Sequence, residues 1–120
     1  MTPEKRRVVA FIAGRLIAGG DASSVYDFSA GSFTNVSGEV SASKINVYDF
    51  ARSCFVSGSG SVATWSLHDS SSSSFTDLRI DRATFSGYDY ESAFHFSGTV
   101  SGRSISLYDY ESATHYNYSI

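Results

Sequence analysis

A Tyr-Asp-aromatic signature recurs along this chain at nearly fixed intervals. It reads Val25-Tyr26-Asp27-Phe28, Val47-Tyr48-Asp49-Phe50, Gly87-Tyr88-Asp89-Tyr90 and Leu107-Tyr108-Asp109-Tyr110, with Leu67-His68-Asp69-Ser70 as a degenerate copy. The copies start 22, 20, 20 and 20 residues apart, a period that marks stacked or radially arranged units, none of which can bury its apolar face alone. Other columns keep the same register: Ile45, Trp65, Phe85 and Ile105 precede the signature by two residues, and Phe33, Phe55, Phe75, His95 and His115 follow it at one shared position. Residues 25–120 are therefore tandem repeats within a single domain, 1–120.

Inside each copy the apolar residues alternate, as in Ser104-Ile105-Ser106-Leu107, where Ile105 and Leu107 share one face of a strand. Tyr, Phe and β-branched residues dominate the apolar set, which also favours strands. Ser-Gly pairs at 37–38, 57–58 and 97–98 predict one turn per copy. The Asp column predicts another, because an Asp side chain accepts hydrogen bonds from nearby backbone N–H groups in turns. The expected fold is mainly β: a short β-solenoid of about four and a half coils of 20–22 residues, capped by an N-terminal α-helix. In that arrangement Ile45, Trp65, Phe85 and Ile105 form an inward ladder beside Val47, Leu67 and Leu107, with Gly87 leaving a gap. The alternative is a closed pseudo-symmetric hairpin-repeat barrel. The solenoid is preferred because the Asn-Gly and Asp-Gly dipeptides of tight hairpins are missing.

Residues 1–20 read as an amphipathic capping helix. Thr2 is placed to cap it, Pro3 and Glu4 suit its first turn, and Gly19-Gly20 stop it. Val8, Val9, Phe11, Ile12 and Leu16 fall on one side of a helical wheel, with Lys5, Arg6 and Ala10 elsewhere. The reading is a lid over the open hydrophobic end of the repeats.

The coil length, short strands and single-domain size resemble the bactofilin type of bacterial β-solenoid, a cytoskeletal family whose members polymerise end to end. The Tyr-Asp-Tyr/Phe motif itself is similar to that of small uncharacterised bacterial Tyr-Asp-Tyr repeat proteins. The resemblance implies a bacterial structural protein, and a helix over one end would obstruct polymerisation there.

Charge narrows the partners. Lys5, Arg6, Arg7 and Arg15 against Glu4 and Asp21 leave the first 24 residues at +2 and the remainder at −5 of the overall −3. An acidic body without a basic stripe does not neutralise phosphates, so no nucleic-acid partner is expected. Lys5-Arg6-Arg7 before Val8–Ala13 imitates a signal peptide until Arg15 interrupts the apolar run, and no segment reaches the length of a membrane span. The single Cys54 makes no internal disulfide and reads as a small buried residue. A soluble, cytoplasmic protein is expected.

No catalytic, metal-ligating or cofactor-binding constellation stands out, and the reading is not an enzyme. The Asp column, Asp27, Asp49, Asp69, Asp89 and Asp109, reads as turn capping; stacked carboxylates also make a bridging cation thinkable. His95 and His115 would be neighbours on adjacent coils, with Glu91 and Glu111 four residues before them, without metal-site spacing. The leading expectation is a non-enzymatic structural or protein-interaction module. It would form a homo-oligomer through an uncapped C-terminal strand bearing His115, Tyr116, Tyr118 and Ile120, since an unpaired strand edge invites another chain. The alternative is a carbohydrate- or ligand-binding module using exposed Tyr26, Tyr48, Tyr88 and Tyr108.

Overall fold

The computed structural model describes every residue from Met1 to Ile120. One helix, α1 (Pro3–Ala18), is followed by ten strands: β1 (Ser24–Asp27), β2 (Ser32–Val40), β3 (Ile45–Asp49), β4 (Cys54–Ser61), β5 (Thr64–Asp69), β6 (Ser74–Asp81), β7 (Thr84–Asp89), β8 (Phe94–Ser101), β9 (Ser104–Asp109) and β10 (Thr114–Ser119). Each strand is antiparallel to its neighbours, and the sheet closes into a barrel because β1 pairs with both β2 and β10. The repeat unit is thus a β-hairpin, and five of them surround a central axis in a body of 31 × 30 × 28 Å. The solenoid expectation is corrected in favour of the closed hairpin-repeat barrel.

The turns explain how the sequence concealed this. Ser37-Gly38, Ser57-Gly58 and Ser97-Gly98 lie inside β2, β4 and β8 rather than at turns. The actual tight connections are Val62-Ala63, Arg82-Ala83 and Gly102-Arg103, flanked by the pairs Ser61↔Thr64, Asp81↔Thr84 and Ser101↔Ser104. Their first residues take the left-handed backbone, with φ of 54°, 57° and 60° at Val62, Arg82 and Gly102. Only Gly102 is the residue type that this conformation favours. At the opposite end, each Asp of the repeat opens a four-residue turn, as the sequence predicts; Asp49 pairs with Cys54 across one, and Ser53 closes it at φ 52°.

The mid-strand glycines have a packing role. Gly58 and Gly98 face inward opposite Leu67 and Leu107, and the β6–β7 pair reverses the arrangement, with Leu78 opposite Gly87. A Cβ at Gly98 would collide with the Phe85 ring and the Ser106 carbonyl; one at Gly87 would collide with the Asp77 carbonyl and the Phe96 ring. So Gly87 leaves no gap. The expected inward residues are all buried, but Ile45, Trp65, Phe85, Ile105, Val47, Leu67 and Leu107 lie on the alternate strands β3, β5, β7 and β9, so they line the lumen instead of stacking as a ladder on adjacent coils.

A ten-strand barrel encloses more space than its own inward side chains fill, and here α1 occupies it. The cap geometry matches expectation: the Thr2 side chain accepts from the Lys5 N–H, and the Gly19 N–H donates to the Arg15 carbonyl with Gly19 at φ 75°. The lid reading is corrected, because the helix runs through the lumen and is enclosed all round. Lys5, Arg6 and Ala10, placed off the apolar face by the wheel, are buried together with Val8, Val9, Phe11, Ile12, Ala13 and Gly14. Helix and strands form one core, to which each large apolar side chain of α1 contributes roughly 1.5–3 kcal/mol. Gly14 lets the wall come close, since a Cβ there would sit 2.9 Å from Ile120 Cδ1 and 3.0 Å from Ile105 Cδ1.

Closure also removes the expected C-terminal edge. β10 lies between β9 and β1, and a closed barrel has no unpaired edge to offer. Tyr118 is 1% exposed, Tyr116 lies beneath the Arg6 guanidinium at 3.5 Å from its ring centroid, and Ile120 packs on the core. Of the residues assigned to self-association, only His115 points outward, where it stacks on Tyr108. The helix is not long and apolar enough to cross a membrane.

Candidate functional site

The five aspartates of the repeat converge at one mouth of the barrel, all nearly inaccessible. In each, one oxygen holds its own turn: Asp27, Asp49, Asp69 and Asp109 accept from the N–H groups of Ser29, Ala51, Ser71 and Glu111 at 2.9–3.1 Å, and Asp89 accepts from Ser92 at 3.2 Å. The other oxygen meets a cation of the protein itself. Arg7 reaches Asp27 at 3.4 Å, Arg52 bridges Asp49 and Asp69 at 2.7 and 2.8 Å, Lys5 contacts Asp89 at 3.1 Å, and Arg6 contacts Asp109 at 3.2 Å. The Met1 ammonium also lies 3.1 Å from Asp109.

The expected turn capping is therefore present, and the positive charge that the carboxylates require comes from α1 and from Arg52. Burial pushes the Asp89 carboxyl up, but hydrogen bonds from Ser92 and Lys5 outweigh it and hold the group below its usual range. Asp27 is lowered in the same way: burial opposes the shift, and Ser29, Ala30 and Arg7 overcome it. Burial likewise works against the Arg52 charge, yet Asp49 and Asp69 together raise its pKa. Three cations in the first turns of α1 would ordinarily oppose the helix dipole; the aspartate ring around them supplies the compensating field. This cluster is structural, and no group of His, Cys, Asp and Glu is arranged to hold a metal ion. The imagined pairing of His95 with His115 is corrected too. The two lie on β8 and β10, stacked on Tyr88 and Tyr108, while Glu91 contacts Lys5 and Glu111 contacts the Met1 ammonium.

The outer wall holds the chemistry that the interior does not use. Tyr26, Tyr48, Tyr88 and Tyr108 all face outward and are half-buried. They form no ladder between units; each belongs to a triad within its own hairpin. Tyr26 meets Phe28 and Phe33, Tyr48 meets Phe50 and Phe55, Tyr88 meets Tyr90 and His95, and Tyr108 meets Tyr110 and His115, with ring centroids 4.7–4.9 Å apart. The third hairpin keeps only His68 and Phe75, at 5.0 Å. The register explains the clustering: the Tyr pairs across the Asp turn with the column seven residues on, as in Tyr88↔His95, and the residue two positions after the Tyr folds over its ring. Phe28, Phe33, Phe50, Phe55, Phe75, Tyr90 and Tyr110 are all more than half exposed.

Between these triads the wall is hydroxyl-rich. Cross-strand pairing places Ser59, Ser66, Asp77, Tyr88 and His95 in one outward row. The next row carries Arg79, Ser86, Ser97, Tyr108 and His115. These rows border an open groove of about 930 Å³, lined by Ser59, Ser66, Ser86 and Ser97 together with Tyr88, His95 and Tyr110. Asp77 lies within it and accepts a 2.9 Å hydrogen bond from the Tyr90 hydroxyl, whose pKa is raised by this bond.

Of the Tyr residues expected to bind, Tyr88 lies in this groove, whereas Tyr26, Tyr48 and Tyr108 lie on other hairpins outside it. Asp77, Arg79 and the serines escaped the reading of the sequence. Their signal was the alternation Thr76-Asp77-Leu78-Arg79-Ile80-Asp81, which sets Asp77 and Arg79 on one polar face of β6. No family model, curated protein or solved structure matches this chain.

Proposed function

We propose that this barrel is a non-catalytic carbohydrate-binding module whose site is the groove across the outer faces of β5–β8. The observation that carries the reading is the combination in one concave surface: aromatic rings (exposed Tyr110 and His95 with half-buried Tyr88), serine hydroxyls, and the carboxylate of Asp77. A sugar ring has an apolar face that stacks on an aromatic ring and an equatorial belt of hydroxyls that needs donors and acceptors, and clefts combining apolar walls with a few placed polar groups are characteristic ligand sites. A lipid-facing barrel wall is an apolar band; this one is lined with Ser, Thr, Asn and Asp between its aromatic triads.

Binding rather than cleavage is supported by the single carboxylate in the groove, Asp77, since glycosidic hydrolysis generally uses a pair of carboxyl groups flanking the scissile bond. The rigid scaffold suits the role as well. Strands held by a closed hydrogen-bonded sheet around an enclosed helix keep the side chains of the wall in place, which limits the ordering cost of binding.

Titration calorimetry of the full chain against a panel of soluble oligosaccharides tests the reading. Tyr88→Ala is expected to weaken binding at least tenfold with an unchanged circular dichroism spectrum, whereas Tyr48→Ala, on a different hairpin, leaves it within about twofold; tenfold corresponds to about 1.4 kcal/mol. Absence of binding across the panel, or equal effects of the two substitutions, overturns the assignment.

A further inference from the structure

The groove holds one charge that the fold itself does not use. The cations Lys5, Arg6, Arg7, Arg52 and Lys44 are each paired with a carboxylate. Arg15 donates to the carbonyls of Ala22 and Gly38, and Arg103 donates to the Ile120 carbonyl. Arg79 and Arg82 make no ion pair and no hydrogen bond, and of the two only Arg79 lines the groove. It is exposed on β6 within the groove, between Thr64 and Ser86 in its cross-strand row. Two carboxylates flank it on the same face of β6, Asp77 and Asp81, each two residues along the strand; Asp77 is engaged by Tyr90, and neither is paired with Arg79.

From this we infer that the groove selects an acidic sugar, a pyranose carrying a ring carboxylate, and that Arg79 receives that carboxylate; the inference rests on the carbohydrate-binding reading above. A guanidinium presents a planar fork of donors that matches a carboxylate with two parallel hydrogen bonds. The register supplies the geometry. Asp77 is opposite Tyr88 and Arg79 is opposite Ser86, so Arg79 and Tyr88 are diagonal neighbours on adjacent strands, roughly 7–8 Å apart at Cα and within reach of long side chains. A uronate ring seated against the cluster of Tyr88, Tyr90 and His95 directs its carboxylate towards Arg79, and its hydroxyls meet Asp77 and the serines. Arg79 is then a specificity residue: it chooses among sugars without creating the site.

The experiment pairs two tetrasaccharides of the same linkage, one of glucose and one of glucuronate, titrated into the full chain and into the Arg79→Gln, Arg79→Lys and Tyr88→Ala variants. The expected result is at least tenfold tighter binding of the glucuronate form, a preference abolished by Arg79→Gln and only partly retained by Arg79→Lys, which keeps the charge but loses the fork. Tyr88→Ala weakens both ligands. Equal binding of the two tetrasaccharides, or a preference that survives Arg79→Gln, overturns the inference and leaves the carbohydrate-binding reading standing. Binding of neither overturns both. Arg79 is exposed and unpaired, so its replacement leaves the fold intact, and a circular dichroism melt of each variant verifies this.

Discussion

Lys5 Nζ lies 3.1 Å from Asp89 Oδ1 inside the barrel mouth, with the lysine side chain 3% exposed and the aspartate fully enclosed. The contact joins the first turns of α1 to the end of β7, residues 84 positions apart in the chain. Its partners complete a small network: the same ammonium reaches Ser74 and Glu91, and the same carboxylate oxygen accepts from Thr76. Together with the Arg6–Asp109 and Arg7–Asp27 contacts, it fixes the depth and rotation of the helix in a lumen whose other contacts are non-directional. The hydrophobic core retains the helix, and the aspartate ring gives it a register.

Removing one member of this pair leaves the other charge buried without its main partner, which typically costs 3–5 kcal/mol. Lys5→Met is therefore expected to destabilise the protein by about that amount in urea unfolding, with Asp89→Asn alone also destabilising. The double variant Lys5→Met/Asp89→Asn should be more stable than Lys5→Met, because the isolated carboxylate is gone. Lys5→Met unfolding at the wild-type urea midpoint would show that the pair contributes no net stability.

Much of this architecture was legible in the residues, and the missing part has a definite physical cause. The period, the inward burial of Ile45, Trp65, Phe85 and Ile105, the helix with its Thr2 and Gly19 caps, and the turn-forming Asp column all follow from local chemistry. The choice between stacking and closure hung on turns that local chemistry misassigned: glycines at 38, 58 and 98 serve close packing within strands, while Val62 and Arg82 occupy turn positions that usually go to glycine. A helical wheel reads α1 as a lid because it registers only one-sided amphipathicity. It cannot show that Lys5 and Arg6 meet their counterions inside a lumen. The candidate site was half legible: Tyr88 was visible as an outward aromatic, but Arg79 gained meaning only when the register set it diagonal to Tyr88 and every other pairing was known.

Val62 is the clearest surviving strain. A β-branched residue at φ 54° adopts a conformation that costs roughly 1–2 kcal/mol for an L-residue, and Val62 is 68% exposed, so little packing offsets it. Val62→Gly relieves the backbone at the expense of extra freedom in the unfolded chain. The net expectation is a gain of about 0.5–1 kcal/mol, read as a higher melting temperature. The turn gives the Trp65 indole its hydrogen bond through the Val62 carbonyl at 3.4 Å, so tryptophan fluorescence should stay unchanged if the turn is preserved. A lower melting temperature with unchanged fluorescence would place the value of Val62 in its side chain instead.

The two ends of the pH scale act on different buried groups. Asp27 and Asp89 have carboxyls held below their usual range, so they contribute stability that is fully present above the unfolded carboxylate value of about 3.9 and is lost as pH falls through their lower folded values. Tyr118 acts in the opposite sense. Burial pushes its hydroxyl up to about 12 against the opposing pull of the Arg6 and Arg7 guanidiniums, and no hydrogen bond of good geometry reaches the hydroxyl. Between the unfolded value of about 10 and the folded one, the unfolded chain releases a proton that the folded chain keeps, so stability falls as pH rises through that window, by about 2–3 kcal/mol in full. Tyr118→Phe removes the titration and an unsatisfied buried polar atom. Its urea midpoint at pH 7 is expected to equal or exceed that of the wild type, since burying an unpaired hydroxyl is itself costly. Between pH 10 and 12 its stability should decline less steeply than that of the wild type. Parallel declines in the two proteins would mean that the loss comes from other groups and that burial does not hold the Tyr118 proton.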